Sequence, residues 1–322
     1  MCAIFGLLDF QGRLTPVQRR TIFRELANAA QLRGTDASGV AYIQNGTIQI
    51  QKAPRPASKM RWRIAAETRY LMGHTRMTTQ GAASKNYNNH PFPGRAGGTG
   101  FALAHNGVLY NDQTLRHSQH LPITKVETDS YVAVQLIEKY GELSATILCR
   151  MAEALDGTFT ITVLDAKNTM YFVRGNNPLT IRFLPRLGCY LYASTDEILD
   201  MALDNLRLSK LRQTDIPITQ GDIMTIDAQG QRTVTRFDDT HLWRPRYFCD
   251  WIWHSQTAPI EPEHDDYMEM VLEYGKRHGV SERELRLLID AGYDAMDLEE
   301  LIHDDHYREN CIREIMADFG VY

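Results

Sequence analysis

Short apolar runs, arriving in pairs and separated by turn residues, fill much of the first 240 residues. VAYI and TIQI flank Asn45-Gly46, a pair suited to a type I′ hairpin because both central positions need positive φ. Further strand pairs are predicted at 157–164 with 169–174, at 180–184 with 189–193, and at 223–227 with 232–237, the last across Gln229-Gly230. Residues 2–8, 70–75 and 101–105 read as buried strands. Helical spacing appears over 16–31, where Pro16 fits the first helical position after Thr15, and over 129–139 and 144–154. Strand ladders with helices grouped between them point to an α+β chain or a layered sheet sandwich. Gly97-Gly98-x-Gly100 precedes a strand and lacks the Lys-Ser/Thr ending of a phosphate loop, so it reads as a hairpin connection.

Charge separates a second region. Residues 1–260 hold 29 Lys+Arg against 22 Asp+Glu, whereas 261–322 hold 6 against 18. A mildly basic body (+7) is thus followed by an acidic tail (−12), with Pro259 and Pro262 near the join. The tail predicts short helices at 264–276, 281–290, 296–303 and 306–319, and Ser281 with Glu284 forms a capping-box pattern. The expected division is a body over 2–240, an aromatic and proline-bearing linker over 241–262, and an acidic helical cap over 263–322.

Composition excludes several classes. With 43% hydrophobic residues and a net charge of −5, the chain is not predominantly disordered. No apolar run approaches the ~20 residues a membrane helix needs. The N-terminus has no basic region and reaches Asp9 early, so a signal peptide is not expected and a cytoplasmic location is. Five cysteines without CxxC spacing suggest neither a zinc ribbon nor a disulfide framework, and four of them read as core residues. No His, Cys and carboxylate cluster has ligand spacing, so no metal and no organic cofactor is expected. The small positive excess of the body, with no basic cluster interleaved with aromatics, gives no support for nucleic acid as a partner.

Cys2 stands apart from the other four cysteines. Met1 is normally trimmed ahead of a small residue, which would leave a cysteine carrying its own α-amine. A thiol (~8.5) and an amine (~7.7–8.0) on one residue supply a nucleophile and its general base. The plain alternative is that Cys2 merely starts a buried strand. Further along come Arg33-Gly34-Thr35-Asp36-Ala37-Ser38-Gly39, then Gly73-His74-Thr75-Arg76-Met77-Thr78-Thr79-Gln80-Gly81, Asn88-Asn89-His90-Pro91-Phe92, His105-Asn106-Gly107 and Glu127-Thr128-Asp129-Ser130.

Behind a cysteine at position 2 and in this order, these stretches resemble the class II, N-terminal-nucleophile (Ntn) glutamine amidotransferases. The resemblance covers about residues 2–237 and is nearest in flavour to the amidophosphoribosyltransferase and glucosamine-6-phosphate synthase branches. It implies a four-layer αββα Ntn-hydrolase sandwich, to which this chain adds a C-terminal helical extension, with Cys2 at the end of a central strand. It implies Cys2 as nucleophile, with the Asn106 side chain and the Gly107 N–H as an oxyanion hole. Arg76, whose fork matches a carboxylate, and Thr79 would hold the α-carboxylate of L-glutamine, and Asp129 its ammonium. Asp129 also suits a helix N-cap. Gln80 stands where the synthase branch often has His and is assigned no role. Arg33 and Asp36 would support the nucleophile's strand or the loop around it.

Such a site would form a γ-glutamyl thioester, then glutamate and ammonia. The family usually fuses this domain to a synthase, yet no SGGxDS loop is present. No PRPP-binding loop follows residue 237, and the remaining 85 residues are too few for a sugar isomerase or a flavin barrel. A separate ammonia-accepting synthase subunit is therefore the expected partner, with the aromatic 247–253 segment and the acidic cap as candidate docking surfaces; the equal alternative is that the acidic cap folds back onto the basic body, which complementary charge would favour. Two other readings remain open: an Ntn amidase acting on another amide or acyl peptide, and a non-catalytic regulatory or binding module.

Overall fold

The computed structural model describes residues 2–243, 264–277, 279–293, 295–303 and 305–318. Most of the expected linker, including the 247–253 segment and Cys249, lies outside the described residues. The chain forms two compact units, Met1–Arg246 and Tyr247–Tyr322.

In the first unit the described strands are, in chain order, β1 (Ala3–Leu8), β2 (Ala37–Gln44), β3 (Thr47–Ala53), β4 (Tyr70–Arg76), β5 (Phe92–Ala96), β6 (Thr99–Leu109), β7 (Gly157–Asp165), β8 (Met170–Arg174), β9 (Thr180–Leu184), β10 (Cys189–Ala193), β11 (Thr214–Asp215), β12 (Asp222–Ile226) and β13 (Arg232–Arg236). They make two antiparallel sheets. One runs β11-β9-β10-β1-β4-β2-β3 and the other β13-β12-β8-β7-β6-β5. The helices are α1 (Pro16–Ala29), α2 (Asp112–Ser118), α3 (Tyr131–Tyr140), α4 (Ala145–Ala154) and α5 (Asp196–Asn205).

Period-two alternation explains the layering. Along β1, Ala3, Phe5 and Leu7 join a core with Ile22, Phe23 and Leu26 of α1 and Ile198 and Leu199 of α5. Ile4 and Leu8, on the opposite face, meet Ala102, Ala104, Leu164 and Phe172 of the other sheet. That sheet buries its outer face, including Leu103, Phe159 and Ile161, under Leu136 of α3 and Leu148 of α4. The result is the α+β sandwich of four layers, with apolar side chains filling each interface. Each fully buried Leu, Ile or Phe contributes about 1.5–3 kcal/mol, before the entropy of ordering is set against it.

Most elements fall within a few residues of expectation. Asn45 and Gly46 take φ of 50° and 70° in the predicted hairpin turn, and Gly97 and Gly98 take 55° and 79° between β5 and β6. Thr15 and Gln18 close a capping box on α1. β5 escaped sequence reading because Pro93 and Gly94 interrupt it, and an edge strand tolerates both. α2 and α5 lie outside the predicted helical stretches. The helix expected from residue 129 begins at Tyr131, with no side-chain cap on its first turn. Asp129 is not its N-cap, because its carboxylate is engaged elsewhere. Of the cysteines read as core, Cys189 and Cys311 are buried, while Cys149 is half-buried.

The second unit contains α6 (His264–Arg277), α7 (Glu282–Asp290), α8 (Ala295–His303) and α9 (Asp305–Asp318). Val271, Leu285, Leu288, Leu298, Leu301 and Ile315 form its core. Ser281 and Glu284 make the predicted capping box at the start of α7.

Candidate active site

Antiparallel register sets the site. β1 lies in the middle of its sheet between β10 and β4, and Ala3 pairs with Thr75. Cys2 therefore stands at the strand end where β4 delivers Arg76. On the other side of β4, Ala37 pairs with Arg76, and the Asp36 N–H donates to the Arg76 carbonyl at 3.0 Å. Three neighbouring strand ends thus bring Cys2, Arg76 and Asp36 together. Gly34 lets the chain pass close by, since a Cβ there would sit 2.5 Å from the Arg76 carbonyl carbon.

Cys2 is half-buried, and its Sγ donates to the Met77 carbonyl at 3.4 Å. Burial pushes the thiol pKa up, while the amino-terminal charge, the Met77 contact and Arg76 pull it down. Arg33 Nε donates to the Cys2 carbonyl at 3.0 Å, and Asp36 Oδ2 accepts the Thr78 N–H at 2.8 Å. One residue holds the nucleophile's main chain and the other holds the loop after β4.

Arg76 is buried. Its guanidinium donates to Asn89 Oδ1 at 2.7 Å and to the carbonyls of Gln80 and Gly81. Burial disfavours its charge, and Cys2, Asp129 and Asp36 support it. Asp129 accepts the Leu109 N–H at 2.6 Å and the Ser130 hydroxyl at 3.2 Å, and its own N–H donates to Gln80 Oε1 at 3.2 Å. Gln80, which sequence reasoning left without a role, links Arg76 to Asp129 through its carbonyl and its side chain. Thr79 is exposed on the same loop, whose hydrogen bonds run through Thr78 and Gln80.

The second sheet contributes β6. Asn106 is buried between the sheets, and its Nδ2 donates to Ser194 Oγ at 3.4 Å. Ser194 Oγ also accepts the Ile4 N–H at 2.9 Å, so one hydroxyl joins the nucleophile strand to Asn106. No sequence signal marked Ser194, which arrives from 190 residues away by strand pairing. Asn106 Oδ1 has no hydrogen-bond partner. Gly107 has φ of +139°, and a Cβ there would fall 1.9 Å from the Thr158 carbonyl oxygen. Only glycine fits.

Beneath the site three imidazoles are packed together. His74 stacks on His90 with centroids 4.2 Å apart, and His105 lies 6.5 Å from His90. His74 Nε2 contacts the His105 carbonyl at 3.0 Å, and His105 Nδ1 contacts Ser130 Oγ at 2.8 Å. Burial lowers the pKa of all three, His74 to about 3. They are neutral at pH 7 and act as polar packing under Arg76. Among the described residues no group of three His, Cys, Asp or Glu side chains is placed to hold a metal ion, and no helix is long and apolar enough to cross a membrane.

The model of the class-II glutamine amidotransferase family matches residues 1–171, more than half of the chain. The chain belongs to that family. Its relatives include the glutamine–fructose-6-phosphate aminotransferase (isomerizing) of Geobacillus kaustophilus, 25% identical over 244 residues, covering 73% of this chain and 38% of that one. The enzyme of the same name from Staphylococcus aureus (strain N315) is 26% identical over 191 residues, covering 56% of this chain and 30% of that one. This amidotransferase chain thus spans well under half the length of these curated relatives. Among solved structures, the glutamine phosphoribosylpyrophosphate amidotransferase of B. subtilis, complexed with ADP and GMP, has a TM-score of 0.57 at 19% identity, covering 74% of this chain and 49% of that one. The allosteric regulatory enzyme of purine biosynthesis gives 0.59 at 20% identity with the same coverage. At such identities the likeness is one of fold.

Proposed function

We propose that this chain hydrolyses L-glutamine at Cys2 and passes the ammonia to a separate synthase. The meeting of Cys2 and Arg76 at adjoining strand ends, with Asp129 held to the end of β6 through the Leu109 N–H and Asn106 tied to the Cys2 strand through Ser194, carries this reading. Removal of Met1 exposes the Cys2 α-amine, which takes the thiol proton. The thiolate attacks the amide carbon, and the oxyanion is held by Asn106 Nδ2 and the Gly107 N–H. Collapse breaks the C–N bond, and the amine's proton leaves with ammonia. Water then attacks the γ-glutamyl thioester, giving glutamate and restoring the thiol.

Arg76 takes the substrate carboxylate and Asp129 its ammonium. Because Arg76 already donates to the Gln80 and Gly81 carbonyls, the carboxylate exchanges for them, and the 77–81 loop rearranges as glutamine binds. Arg33 and Asp36 hold the strand and loop in place, and Thr79 joins the carboxylate only after that rearrangement. A free-thiol nucleophile suits a reducing, cytoplasmic setting. The domain limits remain those expected, a glutaminase body over 2–240 followed by a linker and an acidic helical cap.

The test is glutamate and ammonia release by purified protein, with intact mass to follow Met1. Cys2→Ala is expected to abolish turnover while leaving the melting temperature unchanged. Unaltered turnover in that variant would overturn the mechanism.

A further inference from the structure

After β3 the chain turns back along the edge of its own sheet. Lys52 on β3 and Arg55, Lys59, Arg61 and Arg63 on the returning segment line one cleft of about 340 Å3. No carboxylate and no aromatic ring lines it. Several arginines elsewhere in the body are held by carboxylates. Arg182 is clasped by Asp196, Asp200 and Asp215, Arg236 by Asp222, and Arg19 by Asp9. Among the described ion pairs none involves the five cations of the cleft.

The cleft is also built rather than loose. Gln51 donates to the Arg61 carbonyl and accepts the Arg63 N–H, both at 2.7 Å. The Tyr42 hydroxyl donates to the Arg63 carbonyl at 2.8 Å, and Ser38 Oγ to the Arg55 carbonyl at 3.0 Å. Gln31 Oε1 accepts both the N–H and the hydroxyl of Ser58, at 3.1 and 2.9 Å. These bonds fix the main chain of the basic segment and use none of its cationic head groups. An anion entering the cleft would meet these cations with no carboxylate competing for them.

We infer that this cleft binds a compact ligand carrying two or more phosphate groups, at a site apart from Cys2. Three guanidinium forks, those of Arg55, Arg61 and Arg63, match phosphate oxygens bidentately and the Lys59 ammonium adds a point charge, whereas the Lys52 ammonium already donates to the Asn89 and Pro91 carbonyls. The volume lies at the small end of ligand pockets, which suits a few phosphates rather than a polymer. The absence of an aromatic lining removes the stacking platform that single-stranded nucleic acid uses.

The experiment titrates the full chain calorimetrically with inorganic tripolyphosphate, pyrophosphate and orthophosphate. The variants are Arg61→Ala/Arg63→Ala and, as an equal loss of charge elsewhere on the surface, Arg186→Ala/Arg212→Ala. Melting temperatures confirm that each variant is folded. The expected result is one-to-one binding of tripolyphosphate, tighter than orthophosphate, weakened at least about tenfold in the cleft variant and little changed in the control, since two bidentate charge-assisted contacts are lost. Equal weakening in both variants, or no preference over orthophosphate, would overturn the site. Displacement of tripolyphosphate by a much tighter oligonucleotide or polyglutamate would overturn the compact ligand in favour of a polymer.

Discussion

The amidotransferase body and the C-terminal helical unit obey different rules. The helical unit follows local sequence logic almost throughout. Its helices begin where capping residues and spacing place them, and its core is a set of aliphatic positions. The body departs from local logic at one end of its sheets. There Asn106, His74 and His90 carry buried polar atoms without partners, Arg76 is buried, and Gly107 holds a φ that L-residues avoid. A fold tolerates such departures only where surrounding packing over-determines them, and they gather where chemistry is done. The contrast teaches that the first unit spends stability at a site, whereas the described helices of the second are held by local caps and an aliphatic core.

The largest expected effect tests the site side of this contrast. Asn106→Ala removes an oxyanion donor and should lower kcat about 100- to 1,000-fold, roughly 3–4 kcal/mol, with KM little changed. Its weak 3.4 Å bond to Ser194 implies a small change in thermal stability. Steady-state kinetics with glutamine check this. A raised KM at unchanged kcat would make Asn106 a ground-state contact instead.

Leu288→Ala tests the other side. Leu288 is fully buried, and truncation there costs about 2–5 kcal/mol. A core this small seldom supplies more than about 3–5 kcal/mol. Hydrogen exchange across α6–α9 should therefore collapse, while glutamine turnover stays within about twofold. Concerted loss of both would show that the two units are energetically one.

How much was legible follows the same division. The hairpins, the tail helices and the Ser281–Glu284 capping box were readable because each depends on residues a few positions apart, whereas the Thr15–Gln18 box emerges only in the structure. The site residues were readable only as motifs, and their meeting depends on strand register. Ser194 reaches Asn106 through the β10–β1 pairing, and Gln80 reaches Asp129 across 49 residues. Asp129, expected to take the substrate ammonium, also suited a helix cap, but its carboxylate accepts the Leu109 N–H instead of capping α3. The basic cleft was hidden by averaging, since a net charge over 260 residues says nothing of five cations on one edge.

Acid should expose the body first. Burial holds His74 near 3, below the ordinary value near 6.5, so below pH 6.5 the unfolded chain binds a proton that the folded one refuses. Stability therefore falls as pH drops from 6.5 towards 3, by about 2 kcal/mol at pH 5 for His74, with His90 and His105 adding in the same direction. Urea melts and hydrogen exchange of β4 and β6 at pH 7 and 5 measure this. No described buried side chain of the C-terminal unit is a histidine, so α7 protection should change less over that range.

The smallest effect compares one device in both units. Thr15 with Gln18 and Ser281 with Glu284 form the same capping box. Thr15→Ala and Ser281→Ala should each cost about 1 kcal/mol. α1 is additionally pinned by the buried Arg19–Asp9 pair and by Phe23 and Leu26 against the sheet, so its first turn opens mainly with the whole unit. α7 rests on a small aliphatic core, so the same loss should appear as local fraying. Amide exchange at 282–285 is expected to quicken about fivefold in Ser281→Ala, the rate equivalent of 1 kcal/mol. The α1 amides should follow only the global stability of Thr15→Ala. Faster local exchange in α1 than in α7 would mean that tertiary packing, not the cap, holds the C-terminal helix.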